Sequence, residues 1–237
     1  HGFVLDEKGN KYSKSSANYE PLAATLAKLS PDVLRLWALS QDMTRDLKMG
    51  RQSLERTGER YRKLRNTLRF CLQNTGDVDL DAASVAPASR SLHLAQLADM
   101  AALARTVTEA AERYDLPAAV AALTLYCETV SGEYFTAVKD TLYCDAPDAP
   151  RRREAQAVLV RMLLLLTRLL VPVLPFTAEE VFQLLRPRLA NAPATSLQLT
   201  LNPASLLVAE DTAAWSPVYE EMRRLRREVN QFVEAGR

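Results

Sequence analysis

The sequence predicts an all-α protein: a helical bundle preceded by a small irregular hairpin and loop. Three observations predict it. Apolar residues recur every three to four positions through successive long segments, the period of a helix with one buried face. Glycine is scarce, with 7 in 237 residues, and several of the 12 prolines stand where helices start or stop. Hydrophobic residues at 48% and charged residues at 25% are the proportions of a globular chain. Neither a Gly-x-x-x-x-Gly-Lys loop nor a Gly-x-Gly-x-x-Gly turn is present, which excludes those two ways of cradling phosphates.

The elements follow in order. Phe3-Val4-Leu5, the turn Asp6-Glu7-Lys8-Gly9-Asn10 and the polar Lys11-Tyr12-Ser13-Lys14-Ser15-Ser16 predict a hairpin feeding an exposed loop. Ser30-Pro31-Asp32 predicts an N-cap followed by a helix to about Leu39. A basic helix is expected from about Leu54 to Leu72, then a loop from Asn74 to Arg90. Leu97, Met100, Ala101, Ala104, Val107, Ala111 and Tyr114 fall on one face of a third helix. Asp115-Leu116-Pro117 restarts the chain into a fourth, with Val120, Thr124, Cys127, Ser131, Tyr134 and Val138 inward. A fifth, from about Arg152 to Leu170, is apolar nearly all round and therefore central, and Pro172 and Pro175 end it. Thr177-Ala178-Glu179-Glu180 has the spacing of a capping box, with Thr177 as the cap. A short strand is expected at Leu197 to Leu201 and a terminal helix from about Pro217 to Glu234. The chain divides into 1–28, 29–190 and 191–237.

The most apolar run, Val158 to Leu174, is interrupted by Arg161, Arg168 and Pro172, whereas a bilayer span needs about 20 mostly apolar residues. It reads as a buried helix, and no secretory signal opens the chain, so no membrane partner is expected. Cys71, Cys127 and Cys144 are scattered, without a Cys-x-x-Cys pair, which fits a reducing, cytoplasmic setting and no structural zinc. With two histidines, His93 reads as a polar surface residue of its helix and histidine catalysis is not expected.

A formal charge of +1 hides an asymmetry. Between Arg45 and Arg69 nine basic residues stand against Asp46, Glu55 and Glu59. Arg56, Arg60 and Lys63 form one row along the helix, and Arg62, Arg65 and Arg69 another, beside an apolar stripe of Tyr61, Leu64, Leu68 and Leu72. A helix so built can follow a phosphate backbone, and the outer row Arg56, Arg60, Lys63 is the better candidate for it. Arg62 and Arg65, flanking the stripe, are expected to pair with carboxylates on neighbouring helices or to brace the junction with the N-terminal loop. The alternative is a structural bundle whose basic helix faces solvent. The other segment with chemical content is Lys11-x-Ser13-Lys14-Ser15, where two ammonium groups and small hydroxyls can converge on a polyphosphate.

The segment from His1 to Ser15 resembles the strand, turn and Lys-Met-Ser-Lys-Ser signature of class I aminoacyl-tRNA synthetases. Pro31-Asp32-Val33-Leu34-Arg35-Leu36-Trp37-Ala38-Leu39-Ser40, Tyr61-Arg62-Lys63-Leu64-Arg65-Asn66-Thr67-Leu68-Arg69-Phe70, Lys139-Asp140-x-Leu142-Tyr143-Cys144 and Leu170 to Glu180 are similar to the isoleucyl-tRNA synthetases. The resemblance spans nearly the whole chain. It implies that 1–28 ends a catalytic half and that the bundle is an anticodon-binding domain. Lys11 and Lys14 would then be catalytic, with Lys11, Ser13, Lys14 and Ser15 on the ATP phosphates. The implied reaction joins isoleucine to tRNA(Ile) with ATP and Mg²⁺, the nucleic-acid partner being tRNA and not DNA. Tyr12 stands where the family usually has methionine, Thr136 and Thr141 where it commonly has aspartate and arginine, and Gln198 where histidine is frequent. Ser16-Ala17-Asn18 replaces a usual Leu-Gly-Asn. No His-Ile-Gly-His signature is present, so the chain alone is not expected to aminoacylate. A stand-alone RNA-binding paralogue without synthetase activity is the alternative.

Overall fold

The computed structural model describes residues 2–13, 21–78, 80, 91–189, 221–225, 228–229 and 231. The expected hairpin is present. Asp6 turns the chain by accepting the Lys8 and Asn10 backbone N–H groups on Oδ1 at 2.9 and 2.8 Å, with Gly9 in the left-handed region at φ 87°. Lys11 then bridges back to Leu5 in antiparallel sense. Strand β1 (Val4–Leu5) is completed on its other edge by a parallel strand β2 (Leu47–Lys48), with Val4 opposite Leu47 and Leu5 opposite Lys48.

Helix α1 (Leu22–Lys28) leads to α2 (Pro31–Leu39), where Ser30 caps by accepting the Asp32 N–H and Pro31 takes the first helical position, as the sequence implies. The basic helix α3 (Arg51–Asn74) is longer at both ends than its apolar stripe suggests. Helix α4 (Ser91–Glu112) buries Met100, Leu103, Ala104, Val107 and Ala110. Ala111 and Tyr114, expected on that inner face, are instead exposed, because the helix ends at Glu112 and Tyr114 falls in a left-handed turn. Asp115 caps α5 (Leu116–Val130) by accepting the Ala118 N–H.

A π-helical turn, Ser131–Phe135, joins α5 to α6 (Thr136–Cys144). The wider turn shifts the helix face, so Ser131 points to solvent while Tyr134 is fully buried. Helix α7 (Pro150–Leu170) is the central element, packed against α3, α4, α6 and α8 (Pro175–Leu185), with a 3₁₀ turn Arg186–Arg188 following. Residues 221–225 are helical, inside the expected terminal helix; the expected strand 197–201 lies outside the described residues.

Two further expectations are corrected. Thr177 does not cap α8: that helix begins at Pro175, and Thr177 already lies in its first turn. The cap comes from Asp32 of α2, whose buried carboxylate accepts the Thr177 N–H at 2.7 Å, the Thr177 hydroxyl at 2.6 Å and the Phe176 N–H at 3.4 Å. With its hydrogen committed to Asp32, the Thr177 oxygen receives the Tyr61 hydroxyl at 3.0 Å, which ties in α3. His93 is not a surface residue either. It is buried between helices, Nδ1 3.0 Å from the Tyr134 hydroxyl and Nε2 3.9 Å from Glu154.

Replacing Asp32→Ala strands buried donors of α8 and should cost about 2 kcal/mol in urea unfolding, more than an exposed cap loss. A second expectation concerns alkali. Burial pushes the Cys127 thiol up to about 12 and the Cys71 thiol higher still. An acid whose pKa is raised by folding holds its proton in the native state while the unfolded chain releases it. Stability is therefore full below about pH 9, the ordinary thiol value, and falls as the pH rises above it. Urea midpoints from neutral to alkaline pH should show this loss, and Cys71→Ala with Cys127→Ala should flatten it.

Candidate functional site

Sequence pattern singles out two stretches, the Lys-x-Ser-Lys-Ser loop and the basic helix, and the fold brings their near ends together. The hairpin is latched to the chain between α2 and α3. Leu47 and Met49 donate their N–H groups to the carbonyls of Phe3 and Leu5, both at 2.8 Å, and Gly2 N–H reaches the Met43 carbonyl at 3.0 Å. The Phe3 N–H goes to Asp46 at 2.8 Å. Glu7 closes the latch by accepting the Gln52 N–H at 3.1 Å, in the first turn of α3, where a carboxylate meets the positive end of the helix dipole. A Cβ at Gly50 would occupy the space of the Glu7 side chain, so any larger residue there would displace that carboxylate.

Lys11 lies at the end of this hairpin, exposed, with its ammonium 4.4 Å from the Phe3 ring centroid. That cation–π contact holds the charge over an apolar face without neutralising it. Tyr12 binds back to the Val4 carbonyl at 2.8 Å, and Ser13 follows half-buried. Lys14 and Ser15 lie outside the described residues. A groove of about 680 Å³ runs beside the hairpin, lined by Asp6, Lys8, Tyr12, Lys28, Arg51 and Leu54 among others. The Arg51 guanidinium is paired with Glu55 at 2.8 Å, and Lys8 and Lys28 also line the groove.

On α3 the two basic rows have different surroundings. Arg65 reaches Glu180 of α8 at 3.2 Å, and Arg62 pairs within its own helix with Glu59 at 2.8 Å. In the outer row, Lys63 donates to Glu128 of α5 at 2.7 Å. Arg56 and Arg60 are exposed and pair with no described residue, and the same holds for Arg69. Arg60 opens onto a hollow of about 310 Å³ whose walls include Ser40, Pro117, Thr124, Leu125 and Glu128. Two free guanidinium groups one helical turn apart can bind successive phosphates of a polyanion.

Other cations are held in place. At the far end of α3, Arg152 and Arg153 converge on Asp77, with Gln156 completing the set; the Arg152 hydrogen bond holds the Asp77 carboxyl below its ordinary range. Arg223, in the terminal cluster, grips both oxygens of Asp99 and one of Glu133. Neither Glu128 nor Glu180 is findable from sequence as a partner of α3, because each lies more than sixty residues away. Among the described residues no group of three or more His, Cys, Asp or Glu converges as a metal site, and no helix is long and apolar enough to cross a membrane.

Residues 95–237 match the family described as the anticodon-binding domain of tRNA ligase, and residues 1–50 match class I tRNA synthetases (I, L, M and V). Among curated relatives, the isoleucine–tRNA ligase of Nitrosomonas europaea is 37% identical over 242 residues, covering 100% of this chain and 25% of that protein. That of Carboxydothermus hydrogenoformans is 40% identical over 186 residues, covering 77% of this chain and 20% of that protein. The chain thus spans a quarter or less of the length of these relatives. Two solved structures share the fold at 19% identity over 77% of this chain. One is the ternary complex of Agrobacterium radiobacter K84 agnB2 LeuRS-tRNA-LeuAMS, with a TM-score of 0.57 over 21% of that chain. The other is Mycobacterium tuberculosis methionyl-tRNA synthetase with methionyl-adenylate, with a TM-score of 0.59 over 37%.

Proposed function

Since the chain belongs to the anticodon-binding domain family of tRNA ligases, we propose that it is part of an isoleucine–tRNA ligase, binding tRNA(Ile) through its helices and presenting the ATP-phosphate loop. The observation that carries this reading is the 37% identity to an isoleucine–tRNA ligase along the whole chain, from the loop through the bundle. Lys11, Ser13, Lys14 and Ser15 hold the phosphates of ATP, which enters with Mg²⁺. The ammonium groups of Lys11 and Lys14 act on the charge that grows on pyrophosphate as the isoleucine carboxylate displaces it from the α-phosphate. Isoleucine and adenine are held by the remainder of the full-length enzyme, and Arg56 and Arg60 take phosphates of the tRNA. Because Glu7 and the β1–β2 pairing bind the hairpin to the start of α3, the loop and the RNA helix are registered to each other.

Lys14→Ala in the full-length enzyme should lower the turnover number for isoleucine-dependent pyrophosphate exchange with little change in the Michaelis constant for isoleucine, since its charge acts in the transition state. An unchanged exchange rate would remove Lys14 from the reaction. For RNA binding, replacing Arg56 and Arg60 together with alanine should flatten the log–log salt dependence of tRNA affinity by about 1.5 units, at 0.7–0.9 per phosphate contact. Lys63→Ala, whose ammonium is shared with Glu128, should change the slope by less than either arginine. Filter binding across a salt series measures all three.

A further inference from the structure

Tyr114 is the residue that the fold least accounts for. It occupies the position after the end of α4 where the chain reverses in a left-handed turn, with φ 57°. Its N–H returns to the Ala111 carbonyl at 3.0 Å, and the next N–H, of Asp115, returns to Ala110 at 2.8 Å. This paired closure favours glycine, or asparagine, at the left-handed residue, because a Cβ there crowds the backbone. A tyrosine is among the side chains least suited to it. Nor does the core explain the choice: the ring is 88% exposed, and it makes no hydrogen bond or ring contact with the described residues. A large aromatic side chain held out into solvent, against the preference of the backbone beneath it, points to a ligand.

The surroundings indicate which ligand. Three residues on, Pro117 forms a wall of the hollow that receives the unpaired guanidinium of Arg60. The carboxylate facing that hollow, Glu128, is neutralised by Lys63 at 2.7 Å, so the hollow keeps a net positive charge from Arg60. In the chain on either side of Tyr114, Ala111, Glu112, Arg113 and Asp115 are exposed, while Leu116 and Pro117 are half-buried. A protein partner would need an apolar collar around such an anchor, and the exposed residues flanking the ring in sequence are mostly charged. One isolated ring is enough for a nucleic-acid base, since every base offers a π face.

We propose that Tyr114 is a base-stacking residue: an unpaired base of the bound RNA lies on its ring, while Arg60, in the hollow that Pro117 borders, takes a phosphate of the same strand. This rests on the reading of the chain as tRNA-binding. The test separates what suits the fold from what suits the ligand. Tyr114→Gly should raise the melting temperature of the chain by about 2–4 °C, by relieving the left-handed strain. It should at the same time weaken binding of a tRNA(Ile) transcript about tenfold, the loss of one stacked base. Tyr114→Asn, which also tolerates the turn, should weaken binding equally, and Tyr114→Phe should bind as the parent does. If Tyr114→Gly and Tyr114→Asn both bind tRNA with parental affinity while the Arg56 and Arg60 variant is weakened, stacking is wrong and the tRNA reading stands. If the parent chain itself does not bind the transcript, both fall. In the full-length enzyme, an unchanged Michaelis constant for tRNA together with a lowered melting temperature in Tyr114→Gly would show the ring packed on protein and would overturn the proposal.

Discussion

The carboxylate of Asp32 is the contact on which the placement of the other helices depends. A buried carboxylate is costly unless donors surround it. Here three donors from the first turn of α8 do so, at the end of the helix where the dipole favours a negative charge. One turn further along α2, Arg35 donates to the carbonyls of Pro172 and Val173, in the turn after α7, at 2.8 and 3.4 Å. Two residues of opposite charge on one helix thus satisfy both sides of the α7–α8 corner. The Tyr61 hydroxyl brings α3 to the same point. Since β2 lies in the short connection between α2 and α3, fixing those two helices against α8 also fixes where the N-terminal hairpin sits.

The charge on α3 is sorted by the same geometry. Its buried stripe of Leu54, Leu64, Leu68 and Cys71 faces the core, so side chains bordering it come within reach of neighbouring helices. Arg65 and Lys63 meet Glu180 and Glu128 there. These are exposed pairs, individually weak, and their effect is to remove cations from the open surface more than to stabilise the fold. Arg56 and Arg60, nearer the hairpin, form no ion pair with the described residues. The nearly balanced total of +1 therefore coexists with a local positive patch at the end of the bundle that carries the N-terminal hairpin.

Two local irregularities adjust this frame. The π turn at Ser131–Phe135 lets α5 and α6 run on as one continuous element while changing which face is buried, bringing Tyr134 under α4, where it meets His93. The left-handed closure after Glu112 turns the chain sharply enough for Asp115 to end one helix and cap the next.

From the sequence alone came whatever is coded within a few residues: the helical class, the Ser30-Pro31 cap, the helix restart at Asp115, the Asp6 turn, the apolar α7 and the two charged stretches. Such features are visible because hydrogen bonds and sterics over one or two turns fix them. What depended on the folded chain is coded across long separations. The capping-box spacing at Thr177 was misleading because Asp32, 145 residues away, takes the donors the local pattern assigns to Thr177. His93 looked like a surface residue until α4, α7 and the π turn closed around it. Strand β2 is two residues long, too short for any alternation to show. The free state of Arg56 and Arg60 and the paired state of Lys63 follow from where α5 packs. A helical period says which residues share a face; it does not say which helix will meet that face, and that choice belongs to the packing of the whole core.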